Sequence, residues 1–223
     1  TMNTNLPAPA PPSPYGVSLD LFNGENPNGT WSLYAEDVLT GDAGEIKNGW
    51  SLSLTTGGVD VVVPGTGVAG PAGDYPLTRT ADETDRVIKD LDVKLTGVWH
   101  QRPDDLDILL VGPRGQSTVL MSDACGSKPA IGADWTWDDE AGAEMPVSGG
   151  CRDGAHRPTD YALGEGWPSP APLPAYGTDL GSFDGSDPSG QWRMFVLDDE
   201  TDGWGFFTNR FALKAETRPR PRP

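Results

Sequence analysis

The stretch LDVKLT at residues 91–96 alternates apolar and polar side chains, and DLDILLV at residues 105–111 begins in the same way. The same alternation recurs in WRMFV at residues 192–196 and in WSLSL at residues 50–54. A period of two is typical of antiparallel strands that bury one face and expose the other to water. Short strands separated by turns that draw on 29 glycines and 22 prolines predict an all-β protein, a jelly-roll β-sandwich.

The charge balance excludes several classes of partner. The chain has 33 acidic and 16 basic residues, a net charge of −17, which disfavours nucleic acids and anionic membrane surfaces. No apolar run approaches the ~20 residues that span a bilayer, so we expect no membrane insertion. The acidic, glycine-rich composition is typical of a protein that is secreted, extracellular or attached to the cell surface.

The sequence repeats itself. Residues 6–54 align without a gap with residues 167–215, 161 positions later, and the pairs Tyr15/Tyr176 and Trp31/Trp192 are identical. The second copy has an upstream half, residues 67–166, which the first copy lacks. We therefore predict the closing half of a first sandwich at residues 1–58, a linker at 59–66, a complete sandwich at 67–217 and a Pro/Arg tail at 218–223.

The second copy resembles the P domain (Homo B domain) of kexin- and furin-like proprotein convertases and of bacterial subtilisin-like proteases. The resemblance covers most of residues 80–215 and rests on five motifs in order: residues 88–93 with His100, residues 105–115, residues 137–141, Phe183 with Gly185, and Gly190 with Trp192 and Asp198. It implies a jelly-roll sandwich without catalysis of its own, which in convertases packs on the protease and supports its folding and its calcium and pH dependence. Residues 22–54 resemble the closing segment of a preceding copy.

The predicted function is that of a non-catalytic secreted module, an accessory to a larger extracellular protein such as a subtilisin-like serine protease. Two alternatives stay open. In the first, the chain is a structural subunit whose half sandwich is completed by strands of another chain. In the second, tryptophans in or beside loops bind carbohydrate: Trp99, Trp135, Trp137 and Trp167. The expected protein partners are an adjacent protease domain, an upstream half domain or a partner subunit.

Few residues are candidates for chemistry. The chain has two histidines and no Gly-x-Ser-x-Gly motif, so we expect no serine-hydrolase triad; His100 is expected to be structural and His156 exposed. Acidic oxygens at alternate positions after strand 192–198 suggest a calcium site, with a second acidic cluster before residue 108. The candidate ligands are Asp104, Asp105, Asp107, Asp198 and Asp202. Cys125 and Cys151 predict a disulfide, with two free thiols as the alternative.

Overall fold

The computed structural model describes residues 6–16, 19, 31–38, 40–41, 44–46, 60–83, 85–162, 166–208 and 211–221. The chain divides into two compact units, Thr1–Thr56 and Gly57–Pro223. The second unit contains every strand that the described residues form. Among the described residues, helix is limited to short 3-10 turns such as Pro103–Asp105 and Leu180–Phe183, and none of it could cross a membrane.

Twelve strands are formed in the described part of the second unit. They are β1 (Val61–Val63), β2 (Gly70–Pro71), β3 (Leu77–Ala81), β4 (Arg86–His100), β5 (Leu106–Val111), β6 (Ser117–Ser122), β7 (Ala130–Trp137), β8 (Gly154–His156), β9 (Thr159–Asp160), β10 (Gly190–Asp198), β11 (Gly205–Phe207) and β12 (Ala212–Pro219).

The strands form two six-stranded sheets that pack as a sandwich. The first sheet has the order β1-β11-β4-β7-β8, with β12 also paired to β4. The second sheet has the order β2-β10-β5-β6-β9, with β3 also paired to β10. Most pairs are antiparallel, as the alternation of side chains predicts, and β8 and β9 join the edges in parallel. The predicted all-β sandwich is therefore confirmed.

The core lies between the inward faces of the two sheets. It includes Leu95 and Trp135 from the first sheet and Ile108, Trp192 and Met194 from the second, all buried. Trp135 lies within β7 and Trp137 is the last residue of that strand, and both are buried, so the expected place in or beside a loop is wrong for Trp135. Their rings pack edge to face inside the sandwich, where no sugar could reach them.

The outward face of the second sheet is also covered. Leu109, Val111, Val119 and Phe195 form a second apolar cluster there, against which Tyr75, Trp167, Ala171 and Tyr176 pack. Three of these covering residues come from the proline-rich segment 166–177, which we call the strap. It explains why β5 is buried on both faces although its sequence begins with a polar alternation.

The first unit contains a local copy of the strap. The Tyr15 hydroxyl donates to the Pro11 carbonyl at 2.7 Å, and the repeat-related Tyr176 hydroxyl donates to the Pro172 carbonyl at 2.5 Å. The two segments therefore adopt the same turn 161 positions apart. The repeat predicts that six side chains of this half sandwich face inward: Phe22, Trp31, Leu33, Trp50, Leu52 and Leu54. Of these, Trp31 is half-buried and Leu33 is exposed, and the other four lie outside the described residues.

Two segments differ from expectation at the boundaries. Residues 61–63, within the expected linker, form β1, because Val61 and Val63 are buried against the core while β1 pairs with β11. At the other end, β12 continues to Pro219, within the expected tail. The Arg220 amide then donates to the Asp85 carbonyl at 2.9 Å, so this part of the tail is fixed to the sandwich.

Candidate functional site: a buried histidine–aspartate cluster

A histidine and an aspartate meet between the sheets at one end of the sandwich. His100 is the last residue of β4 in the first sheet, and Asp198 is the last residue of β10 in the second. Both point inward because strand alternation places them on the same faces as the core residues before them. His100 Nε2 lies 3.2 Å from Asp198 Oδ2, and both side chains are buried. This pair joins the two sheets directly.

Both ring nitrogens of His100 are engaged within the protein. Nδ1 lies 2.8 Å from the Arg102 carbonyl, which can only accept, and Nε2 faces the Asp198 carboxylate. Nδ1 also lies 3.3 Å from the Arg102 amide nitrogen, so whether it donates or accepts depends on the tautomer of the ring. Such a histidine ties the sheets together and has no free nitrogen to offer a substrate.

Asp105 is the second buried acid of the cluster. It ends the 3-10 turn Pro103–Asp105, and its backbone carbonyl accepts from the Asp199 amide at 3.1 Å. Burial, together with the nearby charges of Asp104 and Asp202, raises the pKa of Asp105 to about 7, and Arg102 opposes the shift. The Arg102 Nε atom lies 3.6 Å from Asp105 Oδ2. The cluster therefore contains a carboxyl group that gains or loses its proton near neutral pH.

The structure brings four of the five candidate calcium ligands into one electrostatic cluster, since Asp104, Asp198 and Asp202 all act on Asp105. Asp107 faces the other way: Asp198 pairs with Leu106, so the next residue along β5 points to the opposite face of the sheet. Among the described residues, no group of three or more His, Cys, Asp or Glu side chains has an arrangement that could hold a metal ion.

The buried carboxylate oxygens of the cluster favour calcium binding, whereas the neighbouring Arg102 opposes it. Asp198 Oδ1 and Asp105 Oδ2 are buried without a hydrogen-bond partner in the described structure, as calcium-binding oxygens would be. However, Arg102 Nε lies 3.1 Å from Asp202 Oδ1 and also pairs with Asp105. The cluster thus contains its own cation beside the oxygens that calcium would need. Calcium binding stays a prediction.

The remaining candidates have structural positions. Cys125 and Cys151 form the predicted disulfide, with their Cα atoms 4.9 Å apart. A disulfide is typical of proteins that fold in an oxidising compartment. His156 lies on the edge strand β8 and is half-buried rather than exposed, with Nε2 3.5 Å from the Arg152 carbonyl.

Two functional candidates were missed at the level of sequence. Arg102 was not expected in the acidic cluster, although its position two residues after His100 and three before Asp105 was a usable signal. Trp204 lies between two glycines before β11 and is exposed on the outer face of the first sheet. Trp204 and Phe206 are two residues apart, and this spacing could have predicted that their rings lie on the same face of the sheet.

Comparisons with known proteins give few matches. No family model matches the chain, and no curated protein matches it. Solved structures similar to it include the serine protease of Aeromonas sobria and the complex of that protease with its chaperone. In both, the identity is 15% and the TM-score 0.31, over 75% of this chain and 28% of that chain. The chain therefore spans a little over a quarter of the length of the structures it matches.

Proposed function

We propose that the chain is a non-catalytic β-sandwich module of the P-domain type that stabilises or targets a larger secreted protein. The motif order of residues 88–198 supports the P-domain assignment, and the two-sheet sandwich agrees with it. A parent protein of the subtilisin-like serine protease class is part of this proposal. The module would act by packing against other parts of that protein.

The observation that carries the proposal is that equivalent positions in the two copies of the repeat differ in exposure: they are buried in the second unit and exposed in the first. Met194 is fully buried in the second unit, whereas Leu33, 161 positions earlier, is 53% exposed. Phe207 is 2% exposed, and its counterpart Ile46 is 61% exposed. At ~2 kcal/mol for each buried side chain, exposing such positions removes much of a domain's stability. Within the described residues of the first unit these positions are not covered, and we infer that further polypeptide supplies the opposite sheet.

The state of the histidines supports the non-catalytic part of the proposal. His100 spends both ring nitrogens on the Arg102 carbonyl and Asp198, and it is buried. A serine-hydrolase base must reach both a nucleophile and an orienting acid. We expect no hydrolysis of casein or peptide substrates by the isolated chain. Hydrolysis whose rate rises with the amount of this protein added, and which is lost in His156→Ala, would contradict this part of the proposal.

The decisive experiment compares two masses of the protein isolated from its source. We expect the native particle to be heavier than a single 23.7 kDa chain. A denatured polypeptide above this mass would place the covering strands in the same chain. A denatured mass of 23.7 kDa within a heavier particle would favour the structural-subunit alternative, in which strands are supplied by another chain. A native particle of one 23.7 kDa chain would overturn the proposal.

A matched pair of substitutions tests the exposure argument in the chain itself. Met194→Asp should abolish cooperative unfolding of the second unit, because it places a charge in a closed core. Leu33→Asp should leave that transition unchanged and reduce binding of a hydrophobic dye. Equal destabilisation by both substitutions would mean that the Leu33 face is already covered.

A further inference from the structure

An apolar row crosses the outer face of the first sheet. Val62 on β1 lies opposite Phe206 on β11, Phe206 lies opposite Trp99 on β4, and Trp99 lies opposite Ile131 on β7. Trp204 lies beside this row, on the residue before β11. We call these five residues the aromatic ladder. Val62, Trp99 and Phe206 face away from the core, because the strand neighbours on both sides of them, such as Val61 and Phe207, are buried. Ile131 and Trp204 are exposed on the same face.

The three rings of the ladder form one cluster. The ring centroids of Trp99 and Trp204 are 4.9 Å apart, and those of Trp99 and Phe206 are 5.7 Å apart with an angle of 14° between their planes. Trp204 and Phe206 are 6.4 Å apart. Trp99 and Phe206 sit on paired strands and Trp204 on the residue just before β11, so the sheet fixes the positions of two of the three rings.

The ladder is open where the corresponding face of the other sheet is closed. The strap packs over Phe195 and its neighbours on the second sheet. On the first sheet, Trp204 is 47% exposed and Ile131 is 77% exposed, with no described segment over them. Contiguous apolar surface of this kind marks a binding site in soluble proteins.

Charge and area restrict what can bind there. With a net charge of −17, a second copy of the chain is repelled, and so are anionic membranes, nucleic acids and acidic glycans. An aromatic side chain has a surface of ~200 Å², and the five ladder residues are only partly exposed, so the ladder as a whole exposes apolar surface on the order of 400 Å². A standard protein interface uses ~800 Å² on each partner. The ladder is thus small for a protein partner and matches two or three sugar rings.

The groups beside the ladder suit a hydroxyl-bearing ligand. Gln101 is exposed two residues beyond Trp99 on the same face. Asp134 on β7 is partly exposed; its Oδ2 pairs with Lys94 at 2.9 Å and its Oδ1 accepts from the Gly97 amide at 2.9 Å, so it would bind a hydroxyl through its remaining lone pairs. A carboxylate accepts hydrogen bonds from hydroxyls, and a side-chain amide both donates and accepts them. The faces of aromatic rings attract the slightly positive C–H faces of pyranoses.

We propose that the aromatic ladder binds a neutral polysaccharide, whose sugar rings stack on Trp99, Trp204 and Phe206. This site keeps Trp99 of the carbohydrate site expected from the sequence and differs in the rest, because Trp135 and Trp137 belong to the core and Trp167 to the strap. It goes beyond the module's proposed accessory role and does not depend on it.

The test is retention of the chain on microcrystalline cellulose, chitin and an insoluble β-1,3-glucan, measured at low and at high salt. We expect binding to at least one of the three, unchanged by salt because the ligand carries no charge. Trp204→Ala should weaken it about tenfold, or ~1.4 kcal/mol. Trp204→Tyr should restore most of the affinity, since a tyrosine ring can stack in the same place.

Ile131→Ala is the matched control, because it removes exposed apolar area from the ladder without removing a ring. Its effect should stay within about twofold. Thermal melting of each variant checks that it folds.

Three outcomes would overturn the proposal. No retention on any of the three polysaccharides is the first. Equal losses in Ile131→Ala and Trp204→Ala would indicate a general apolar surface for a protein partner. Dimerisation of the chain that Trp204→Ala abolishes, measured by sedimentation velocity, would assign the ladder to a second copy.

Discussion

Replacing Asp105 by Asn should make the protein more stable at neutral pH and flatten the pH dependence of its stability. Asp105 is buried at the end of the sandwich beside other acids, and its pKa is raised from an ordinary value of 3.8 to about 7. The folded state therefore holds this proton more tightly than the unfolded state. Its contribution to stability is full below about pH 4 and is lost as the pH rises to about 7. Asn keeps the shape of the protonated acid and has no charge to bury.

The size of the effect follows from the pKa difference. The interval between 3.8 and about 7 corresponds to ~4 kcal/mol if the full shift is expressed. Water around the exposed Asp202 side chain screens part of the repulsion, which leaves ~1–2 kcal/mol. At about pH 4 we expect Asp105→Asn and the original protein to have the same free energy of unfolding. At about pH 8 we expect the free energy of unfolding of Asp105→Asn to be higher by ~1–2 kcal/mol.

The assay is urea unfolding, followed by tryptophan fluorescence, at several pH values in calcium-free buffer. Other acids with a raised pKa, such as Asp139 and Asp184, are present in both proteins and cancel in the difference. Asp82→Asn is the control: it removes the same charge from an exposed position between β3 and β4. Parallel pH profiles for Asp105→Asn and the original protein would refute the reasoning, and so would an equal gain in Asp82→Asn.

Three further changes have expected outcomes. Replacing Cys125 and Cys151 by Ala, which opens a link between residues 26 apart, should lower the free energy of unfolding by ~3.5 kcal/mol in urea; an unchanged midpoint would contradict this. Gly205→Ala should cost ~3 kcal/mol, because its added Cβ would collide with the His100 ring and with the backbone of β4; a melting temperature within a degree or so of the original would show that the strands can separate freely. Arg102→Ala should increase the rise in melting temperature that calcium produces, since it removes the cation that competes for the acidic oxygens; equal responses with and without the guanidinium group would count against a calcium site in this cluster.

The fold was predictable because its main signal is local. The alternation around Leu91, Leu106 and Trp192 defines inward and outward faces without knowledge of the partner strands. The pairing of Cys125 with Cys151 was equally accessible, since the chain has two cysteines. The boundaries were harder, because Val61–Val63 reads as a short apolar run before glycines, and only β11 turns it into a strand.

The cluster and the ladder depend on contacts that no local pattern contains. His100 and Asp198 are 98 positions apart and meet because two strands of opposite sheets end at the same side of the sandwich. The separation of Asp107 from the other acids could have been read from strand parity, since it is one residue from inward-facing Leu106 and Ile108. The exposure of Trp204 could not have been predicted from the sequence. It arises because the strap covers the second sheet, whereas no described segment covers the first.

The buried cluster and the aromatic ladder share one short segment, and this links their properties. A Cβ added at Gly203 would lie 3.1 Å from Asp105 Oδ2 and 3.3 Å from His100 Cε1, so the backbone on one side of Trp204 packs against the cluster. On the other side, Gly205 lies directly opposite His100 in the strand pairing. Trp204 is thus held between two glycines that both contact the His100 region.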